Sequence, residues 1–482
     1  MKYETVIGLE VHCELATKSK IFCGCTTKFG GAANTHACPG CAGFPGMLPV
    51  LNKGVVEYAM RAGLALNCEI NRHNSFDRKH YFYPDLPGAY QVTQFYSPIC
   101  TNGWVEITAR DASGNAKRGA PPQVVGIKQI HMEEDASKLV HEGDVSLVNH
   151  NRGGMPLLEI VSRPDLRGAE EAVEYLEKLK AILEYTGVSD CKMQEGSLRA
   201  DINLSVRPVG SEKLGVRSEM KNINSTRAIA RAIAYESARH IEVLEEGGRL
   251  VQDTRGWDDE AGESYFLRAK ETAEDYRQIP NPDLPPVIIS EEEIERVRNG
   301  LPELPEAKKR RYIEELGLPA YDTGIITGSV HLVRLFERTA ELIGNPKEAA
   351  NWILGEVLRL LQQTQTLPED MAFDFDSLGK VITLMQKNVI NRGTAKKVFA
   401  EVFTRNIDPE QYVKDNNLAL VTDNSAIRST IEQVLAANEK SVGEYKGGKA
   451  QAMQYLIGQS MRALKGQAPA QEVAAILKEL LG

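Results

Sequence analysis

The stretch VIGLEVHCEL, residues 6–15, constrains the fold of this chain more than any other segment. If it is a β-strand, Glu10, His12 and Glu14 lie on one face and the apolar side chains between them lie on the other, because side chains alternate along a strand. Packing of the apolar face would stiffen the strand, and the polar face could then hold a cation. The alternative interpretation is an edge strand with a charged, solvated face.

The length and composition set the class of protein. A chain of 482 residues is too long for one hydrophobic core, so we expect two or three domains. A net charge of −9 disfavours a general nucleic-acid binder, although a local basic face is compatible with it. The N-terminus does not resemble a signal peptide, and no run of about 18 apolar residues occurs. We therefore expect a cytoplasmic protein without a membrane segment.

Four of the eight cysteines form a cluster soon after the first predicted strand: Cys23, Cys25, Cys38 and Cys41. Two close pairs of thiolates can complete a tetrahedral shell around Zn²⁺ and leave no open position for a substrate. The cluster therefore predicts a structural zinc site. The alternative is four unligated thiols in a reducing compartment, because a C-x-C pair is less diagnostic than C-x-x-C.

Residues 77–95, DRKHYFYPDLPGAYQVTQF, combine cationic and aromatic side chains with prolines and a glycine. The prolines and the glycine exclude a long helix, so we predict an ordered loop. Arg78, Lys79, Tyr81 and Tyr83 are candidates for contacts with the phosphates and the base of a nucleotide. The alternative is a hydrogen-bonded loop with a tyrosine lid.

Acidic side chains recur on further predicted strands. Glu133 and Glu134 lie at a predicted strand end in GIKQIHMEEDASKL, and Glu159 lies within the apolar run MPLLEIV, shortly after Arg152. A charge in such a run must be paired, bind a metal or face a cavity. The alternating segment SLRADINLSVRP and its predicted antiparallel partner VRSEMKNINS carry more charged side chains on one face: Arg199, Asp201, Arg207, Glu219 and Lys221.

If these strands share a sheet, carboxylates converge beside His12: Glu10, Glu133 or Glu134, Glu159, Asp201 and Glu219. They would raise one another's pKa unless cations neutralised their charge. Mg²⁺ together with arginine and lysine side chains provides such cations, and phosphoryl transfer uses the same groups. His12 would favour Mn²⁺ as the ion, or it would contact phosphate or substrate instead.

Long motifs resemble one family, the B subunits of the aspartyl/glutamyl-tRNA amidotransferases, and they run in register over nearly the whole chain. They are GLEVHCEL, KHYFYPDLP, HMEEDA, NRGGMPLLEIVSRPDL, MQEGSLRADINLSVRP, EMKNINS and DYRQIPNPDLPP. The resemblance implies an α+β fold. Residues 1–290 would form an antiparallel catalytic cradle similar to glutamine synthetase and the guanido kinases, and this part includes the four-cysteine zinc knuckle. Residues 291–405 would form an all-α connector, and residues 406–482 a helical tail similar to the YqeY domain.

The resemblance also implies an activity. The family uses ATP and Mg²⁺ to phosphorylate the side-chain carboxylate of Glu or Asp mischarged onto tRNA(Gln) or tRNA(Asn), and ammonia then displaces the phosphate. The chain has no serine-rich amidase signature to make that ammonia. The resemblance therefore implies two protein partners, the glutaminase (the A subunit) and a bridging C subunit. Which mischarged tRNA is the substrate stays open.

Carried over residue by residue, the resemblance implies Mg²⁺ ligands at Glu10, His12, Glu133 or Glu134, and Glu159, with Glu134 as our choice within the pair. Asp201 and Glu219 extend this set on the basis of strand alternation. The predicted ATP and phosphate contacts are Arg78, Lys79, Tyr81, Tyr83, Arg152, Arg199, Arg207 and Lys221. The chain departs from the family pattern at Ser137 and at Gln278–Ile279, and the four cysteines occur in only some members.

Beyond the break at NPDLPP, residues 281–286, helical periodicity replaces strands. Residues 443–450, GEYKGGKA, end in alanine where a P-loop needs Ser or Thr, so we reject an ATP site there. The segment is a better candidate for binding the phosphates of tRNA, together with two cations of the next predicted helix. The predicted contacts are Gly447, Gly448, Lys449, Arg462 and Lys465. The alternatives are a plain helical bundle for the tail and a solvated face for KKRR at 308–311.

Two rival functions remain. A non-catalytic, zinc-containing tRNA-binding module would bind tRNA without turning over nucleotide. A relative specific for Glu-tRNA(Gln) would carry a large extra domain before the helical part, and this chain has no room for one.

Overall fold

The computed structural model describes residues 2–111, 114–117, 119–269, 276–420, 424–464 and 467–482. The chain divides into two compact units, Met1–Ala307 and Lys308–Gly482. The first unit contains a large sheet with helices, and every secondary-structure element described in the second unit is a helix. The predicted α+β class, with a mainly antiparallel sheet before a helical C-terminal part, is therefore confirmed. The predicted three-domain boundaries stay a prediction.

A nine-stranded sheet forms the centre of the first unit. In spatial order its strands are β14 (Glu263–Ala269), β13 (Asp253–Asp258), β12 (Ser218–Lys221), β11 (Leu198–Pro208), β1 (Tyr3–Glu14), β10 (Pro156–Ser162), β7 (Gln123–Glu134), β6 (Cys100–Ile107) and β2 (Glu69–Ile70).

Strand β1 lies in the middle of this sheet, between β10 and β11, and pairs antiparallel with both. Its odd-numbered residues Leu9, Val11 and Cys13 are buried in the main hydrophobic core, while the even-numbered polar residues between them are only partly buried. Strand β12 pairs in parallel with β13, and the other neighbouring strands of the sheet pair antiparallel. The edge-strand interpretation of residues 6–15 is thus wrong.

Short strands flank the large sheet. They are β4 (Asp77–His80), β5 (Tyr90–Thr93) and β15 (Ile279–Pro280) in one small sheet, β3 (His73–Asn74) with β16 (Val287–Ile288), and β8 (Lys138–Glu142) with β9 (Val145–Asn149). The prediction of a loop over residues 77–95 was therefore incomplete. The prolines and the glycine occupy only the connection between β4 and β5, and the segments on either side of it pair as strands.

Among its described residues, the first unit contains four complete α-helices: α1 (Lys53–Ala65), α2 (Ala169–Tyr185), α3 (Thr226–Glu245) and α4 (Glu291–Asn299). Helix α2 ends at Tyr185, two residues before Gly187, which has a φ of +67°. Gly168 takes the N-cap position of this helix. The carboxylate of Asp165 accepts a hydrogen bond of 2.9 Å from the Gly126 amide of β7.

The helices of the second unit are α5 (Pro305–Glu314), α6 (Ala320–Thr327), α7 (Val330–Ile343), α8 (Pro346–Trp352), α9 (Leu358–Thr364), α10 (Asp376–Gln386), α11 (Arg392–Arg405), α12 (Pro409–Asp415), α13 (Asn424–Ala437), α14 (Glu439–Lys446), α15 (Ala450–Ala463) and α16 (Ala470–Leu481), with the first of them starting at the boundary. A π-helical turn, Ile353–Val357, joins α8 to α9. Residues from α13, α15 and α16 form a hydrophobic cluster of their own. No described helix combines the length and the apolar character needed to cross a lipid bilayer.

Gly103 in β6 allows the sheet to pack closely on the chain after α1. A Cβ atom at residue 103 would lie 2.2 Å from Cys68 Sγ and 2.7 Å from the carbonyl oxygen of Leu66. Gly103→Ala is therefore expected to lower the free energy of unfolding by about 2 kcal/mol through overpacking. Gly8→Ala is the matched control in β1, because its nearest neighbour would be 3.6 Å away. Equal denaturation midpoints for the two variants would contradict this account of the packing.

Candidate functional site

Ligand-type side chains from neighbouring strands meet on one face of the large sheet. The strand register places Glu10 opposite Asp201 and His12 opposite Glu159. Glu133 on β7 and Glu219 on β12 extend this row to both sides. These six side chains form two groups of three, and within each group the potential ligand atoms lie within 4.8 Å of one another.

The first group consists of His12, Glu133 and Glu159. The Nε2 atom of His12 lies 3.4 Å from Glu133 Oε1 and 3.4 Å from Glu159 Oε2. His131, on β7, also contacts this group, with its Nε2 atom 3.1 Å from Glu159 Oε2. Thr93 donates its hydroxyl to Glu133 over 3.3 Å. Two imidazoles and two carboxylates are thus packed into one largely buried cluster.

The second group consists of Glu10, Asp201 and Glu219, and the ammonium group of Lys221 pairs with two of these carboxylates. Lys221 contacts Asp201, and its Nζ atom lies 3.0 Å from Glu219 Oε1. The amide of Asn203 donates to Glu10 Oε1 over 2.9 Å. Lys221 is therefore the cation that balances part of the negative charge in this group.

Burial raises the pKa of Glu10, and the neighbouring carboxylates of Glu159 and Glu219 raise it further, whereas Lys221 lowers it. Negative charge at this position is therefore under-compensated by the protein. Oxygen donors from three carboxylates are the ligands that Mg²⁺ and Mn²⁺ prefer, and the imidazole in the first group is better suited to Mn²⁺. Both donor sets fit a divalent cation.

The imidazoles of the first group are held in their charged form. Burial lowers the pKa of His12, but the hydrogen bond and charge of Glu159, together with Glu133, outweigh it and raise this pKa to about 9. The same balance raises the pKa of His131 to about 10. Burial favours the protonated form of Glu159, but the two imidazolium groups hold its pKa well below its usual range.

A cavity of about 340 Å³ adjoins both groups, and this volume lies in the range of small-molecule sites. The charged and aromatic side chains in its wall are His12, Tyr81, Glu133, Asp135, Arg199, Asp201 and Lys221. The cavity therefore combines acidic side chains with an arginine and a lysine, as the alternation of the strands predicted.

Two of the predicted phosphate contacts are tied to one buried carboxylate, Asp135. Arg199 donates to Asp135 over 2.9 Å, and Arg152 Nε lies 3.4 Å from it and donates to the carbonyl of Ala136 over 2.9 Å. The buried Nε atom of Arg199 has no hydrogen-bond partner among the described residues. Arg199 also lines the cavity, and a guanidinium in a cavity wall is suited to an anionic ligand.

Of the four predicted nucleotide contacts on the β4–β5 segment, only Tyr81 lines the cavity. Arg78 pairs with Asp283 at 2.5 Å and lies over the ring of Tyr90 at 4.3 Å, so these contacts hold it within the small sheet. Lys79 lies 4.9 Å from the ring of Tyr276, and half of the Tyr83 side chain is exposed.

Two predicted residues lie away from the clusters. Glu134, our choice of ligand, is one residue out of phase with Glu133, and its carboxylate accepts the backbone N–H of Val92 over 3.0 Å. Strand alternation turns it away from His12 and Glu159. Arg207 lies at the other end of β11, eight residues beyond Arg199, where it pairs with Glu4 at 2.6 Å.

His131 and Asn203 were not assigned roles from the sequence, although they contact Glu159 and Glu10 directly. The spacing of His131 and Glu133 could have shown that they share a face, which would also have favoured Glu133 over Glu134. The signal for Asn203 was its position between Asp201 and the end of β11, on the same face.

The four clustered cysteines lie close together in the loop after β1. Cys41 Sγ lies 3.6 Å from Cys23 Sγ, 3.8 Å from Cys38 Sγ and 3.9 Å from Cys25 Sγ. Four sulfurs bound to Zn²⁺ at about 2.3 Å are separated by about 3.8 Å in a tetrahedron. The arrangement fits a closed zinc site. Buried Lys20 lies 3.5 Å from Cys41 Sγ and donates to the carbonyl of His150 over 2.9 Å.

The predicted tRNA contacts of the tail lie at both ends of α15. Gly447 and Gly448 join α14 to α15, and Lys449 is the N-cap of α15. Arg462 lies in the last turn of this helix, about 20 Å from Lys449 at 1.5 Å per residue. The structure therefore does not bring these cations together. Lys465 lies outside the described residues.

A raised histidine pKa in the folded state makes stability depend on pH. In chelator-treated protein, the ion pairs of protonated His131 contribute fully below the unfolded-state value of 6.5 and are lost progressively as pH rises toward about 10. We expect His131→Gln to flatten the fall of the melting temperature between pH 6.5 and 10. The control His141→Gln, in the exposed β8–β9 hairpin, should keep the wild-type slope. If the melting temperatures of wild type and His131→Gln fall in parallel as the pH rises, His131 does not carry the positive charge assigned to it.

Comparisons with known proteins identify the family. Residues 5–295 match the family model described as GatB/GatE catalytic domain, and residues 334–481 match the one described as GatB domain. A protein of Lachnoclostridium phytofermentans is 54% identical over 481 residues, which is 99% of each chain. A protein of Caldicellulosiruptor saccharolyticus is 53% identical over 100% of this chain and 99% of its own length. A protein of Thermoanaerobacter sp. X514 is also 53% identical, over 100% of both chains. All three are named as the B subunit of aspartyl/glutamyl-tRNA(Asn/Gln) amidotransferase, and this chain belongs to that family.

Proposed function

We propose that this chain is the B subunit of an ATP-dependent amidotransferase, a ligase that converts Glu-tRNA(Gln), Asp-tRNA(Asn) or both into the amidated forms. The names of the relatives support the overall reaction. The observation that carries the mechanism is the pair of acidic groups on one sheet face, beside a cavity that also contains Arg199 and Lys221.

The chemistry of amide formation explains why such a face is needed. A carboxylate oxygen is a poor leaving group, so the side chain of the mischarged amino acid must first become an acyl phosphate. Transfer of the terminal phosphoryl group of ATP depends mostly on positioning and on neutralising charge. Two sets of side chains would hold divalent ions, which would supply positive charge to neutralise the phosphates: His12, Glu133 and Glu159, and Glu10, Asp201 and Glu219.

The side chains of the protein have separate tasks in this proposal. The guanidinium of Arg199 would contact phosphate oxygens from the cavity wall, and Asp135 fixes its orientation. Lys221 holds Asp201 and Glu219 together and adds a positive charge at the cavity wall. His131 orients Glu159. Glu133 replaces Glu134 as the proposed ligand, because its carboxylate lies beside His12.

Amidation of the acyl phosphate requires ammonia and the exclusion of water. Acyl phosphates hydrolyse readily, so ammonia should reach the cavity by a shielded route. We propose that the glutaminase, or A subunit, supplies this ammonia and that the C subunit links the two larger chains. The reaction would take place in the cytoplasm, where aminoacylated tRNA is used.

The remaining parts of the chain support this reaction. We propose that residues 1–290 form a cradle related to glutamine synthetase and the guanido kinases, with Zn²⁺ on the four cysteines as a structural staple. Residues 291–405 would form the connector, and residues 406–482 a YqeY-like tail that binds tRNA through the α14–α15 connection. The separate hydrophobic cluster within the tail supports its description as a module.

Glu10→Gln and Glu159→Gln test the metal-binding face. Each removes one carboxylate from one group, so we expect the rate of tRNA-dependent phosphate release to fall by at least about 100-fold. The affinity for mischarged tRNA should change little. The measurement is phosphate release by the reconstituted complex with each mischarged tRNA.

Glu4→Gln is the matched control, since it removes a carboxylate from the same strand but one that pairs with Arg207. It should keep wild-type activity. If both site variants keep full activity and bind tRNA, phosphate release by the complex does not depend on these carboxylates. That result would favour the non-catalytic tRNA-binding module as the role of this chain.

A further inference from the structure

A second buried polar network lies beside strand β12, outside the two acidic groups. It joins β12, helix α3 and strands β13 and β14 through five side chains that are at most 13% exposed: Ser218, Glu236, Asp253, Arg255 and Ser264. His240 on α3 belongs to it as well and is fully buried. The proposed reaction does not use this network, and buried charges of this kind are costly unless they are fully paired.

Ser218 is the centre of the network. Its hydroxyl donates to Asp253 Oδ1 over 2.5 Å and lies 3.0 Å from His240 Nε2. The same Nε2 atom lies 3.1 Å from Glu236 Oε1. Because Nε2 faces a carboxylate, it carries a hydrogen, and His240 thereby links α3 to β12.

Arg255 and Ser264 close the network on its other side. Arg255 donates to Asp253 over 3.1 Å and to Ser264 Oγ over 2.8 Å, and the Ser264 hydroxyl donates to Glu236 over 2.8 Å. Hydrogen bonds thus connect α3 to three consecutive strands at the side of the sheet where β12 lies.

Strand β12 is short and carries two residues at the second acidic group. It contains only four residues, of which three pair with β11 and all four pair with β13. Ser218 and Met220 are fully buried on one face, whereas Glu219 and Lys221 project from the opposite face into the second acidic group. A shift of β12 along its axis or out of the sheet would therefore move both Glu219 and Lys221 relative to Glu10 and Asp201.

We propose that Ser218 and His240 are positioning residues, which hold β12 in the place where Glu219 and Lys221 complete the second divalent-cation site. The proposal rests on the metal-binding function proposed above. It adds that the geometry of one site, and not of the other, depends on a buried network on the opposite face of the sheet. The first group contains no residue of β12, so it should not respond to changes in this network.

The test is a titration of the purified complex of the three subunits with Mn²⁺. Electron paramagnetic resonance measures the free Mn²⁺ at each point. The variants are Ser218→Ala, His240→Leu and His240→Gln, of which the last keeps an N–H donor near the position of Nε2. Thr186→Val is the matched control, because it removes a buried hydroxyl that donates to Ile182 over 2.8 Å at the end of α2. Melting temperatures are measured for every variant.

We expect wild type to bind two Mn²⁺ ions. Ser218→Ala and His240→Leu should weaken one of the two sites by about tenfold, as for other residues that orient metal ligands, and should raise the Mg²⁺ concentration for half-maximal phosphate release. His240→Gln should restore much of this affinity. Thr186→Val should lower the melting temperature and leave both sites unchanged.

The proposal is overturned if Ser218→Ala and His240→Leu keep both Mn²⁺ affinities within twofold of wild type while their melting temperatures fall. It is also overturned if they weaken both sites equally, since that would indicate general destabilisation. A wild-type complex that binds no Mn²⁺, or one whose binding is insensitive to Glu219→Gln, would refute the proposed metal-binding function itself and this inference with it.

Discussion

The pairing of β1 with β10 on one side and β11 on the other is the interaction on which the site depends. It sets the register that places His12 opposite Glu159 and Glu10 opposite Asp201. The same strand buries its odd-numbered residues in the core, so the proposed ligands Glu10 and His12 are carried by an element packed into the main core of the first unit. Rigid placement matters because divalent ions and phosphoryl transfer tolerate little error in geometry.

Such a concentration of carboxylates is compatible with folding because each group has its own cations. Two histidines held in their charged form balance Glu133 and Glu159, and Lys221 balances part of the charge of the second group. These ion pairs offset part of the repulsion between the carboxylates, and the imidazole of His12 would have to lose its proton before it could ligate a divalent ion. In the proposed reaction, the excess negative charge around Glu10 is the feature that draws an ion to the second group.

The face of the sheet could be predicted from the sequence because alternation along a strand is a local property. Glu10, His12 and Asp201 were identified on that basis. The two-residue spacing of His131 and Glu133 favours Glu133 over Glu134 already in the sequence. Recognising that Arg207 is remote required the pairing of β11 with β1, which motifs do not contain. Contacts between distant segments, such as those of His131 and of the Ser218 network, depend on the complete fold. The β4–β5 hairpin was missed since its turn residues dominated the local pattern.

The central claim is that this face activates a side-chain carboxylate by transferring a phosphoryl group from ATP. It is tested most directly by preparing Glu-tRNA(Gln) or Asp-tRNA(Asn) with ¹⁸O in the side-chain carboxylate and analysing the products of the reconstituted complex by mass spectrometry. An acyl phosphate intermediate predicts that the phosphate released during amidation carries one ¹⁸O atom from the substrate. Amidated tRNA formed together with phosphate that contains no ¹⁸O would contradict the account.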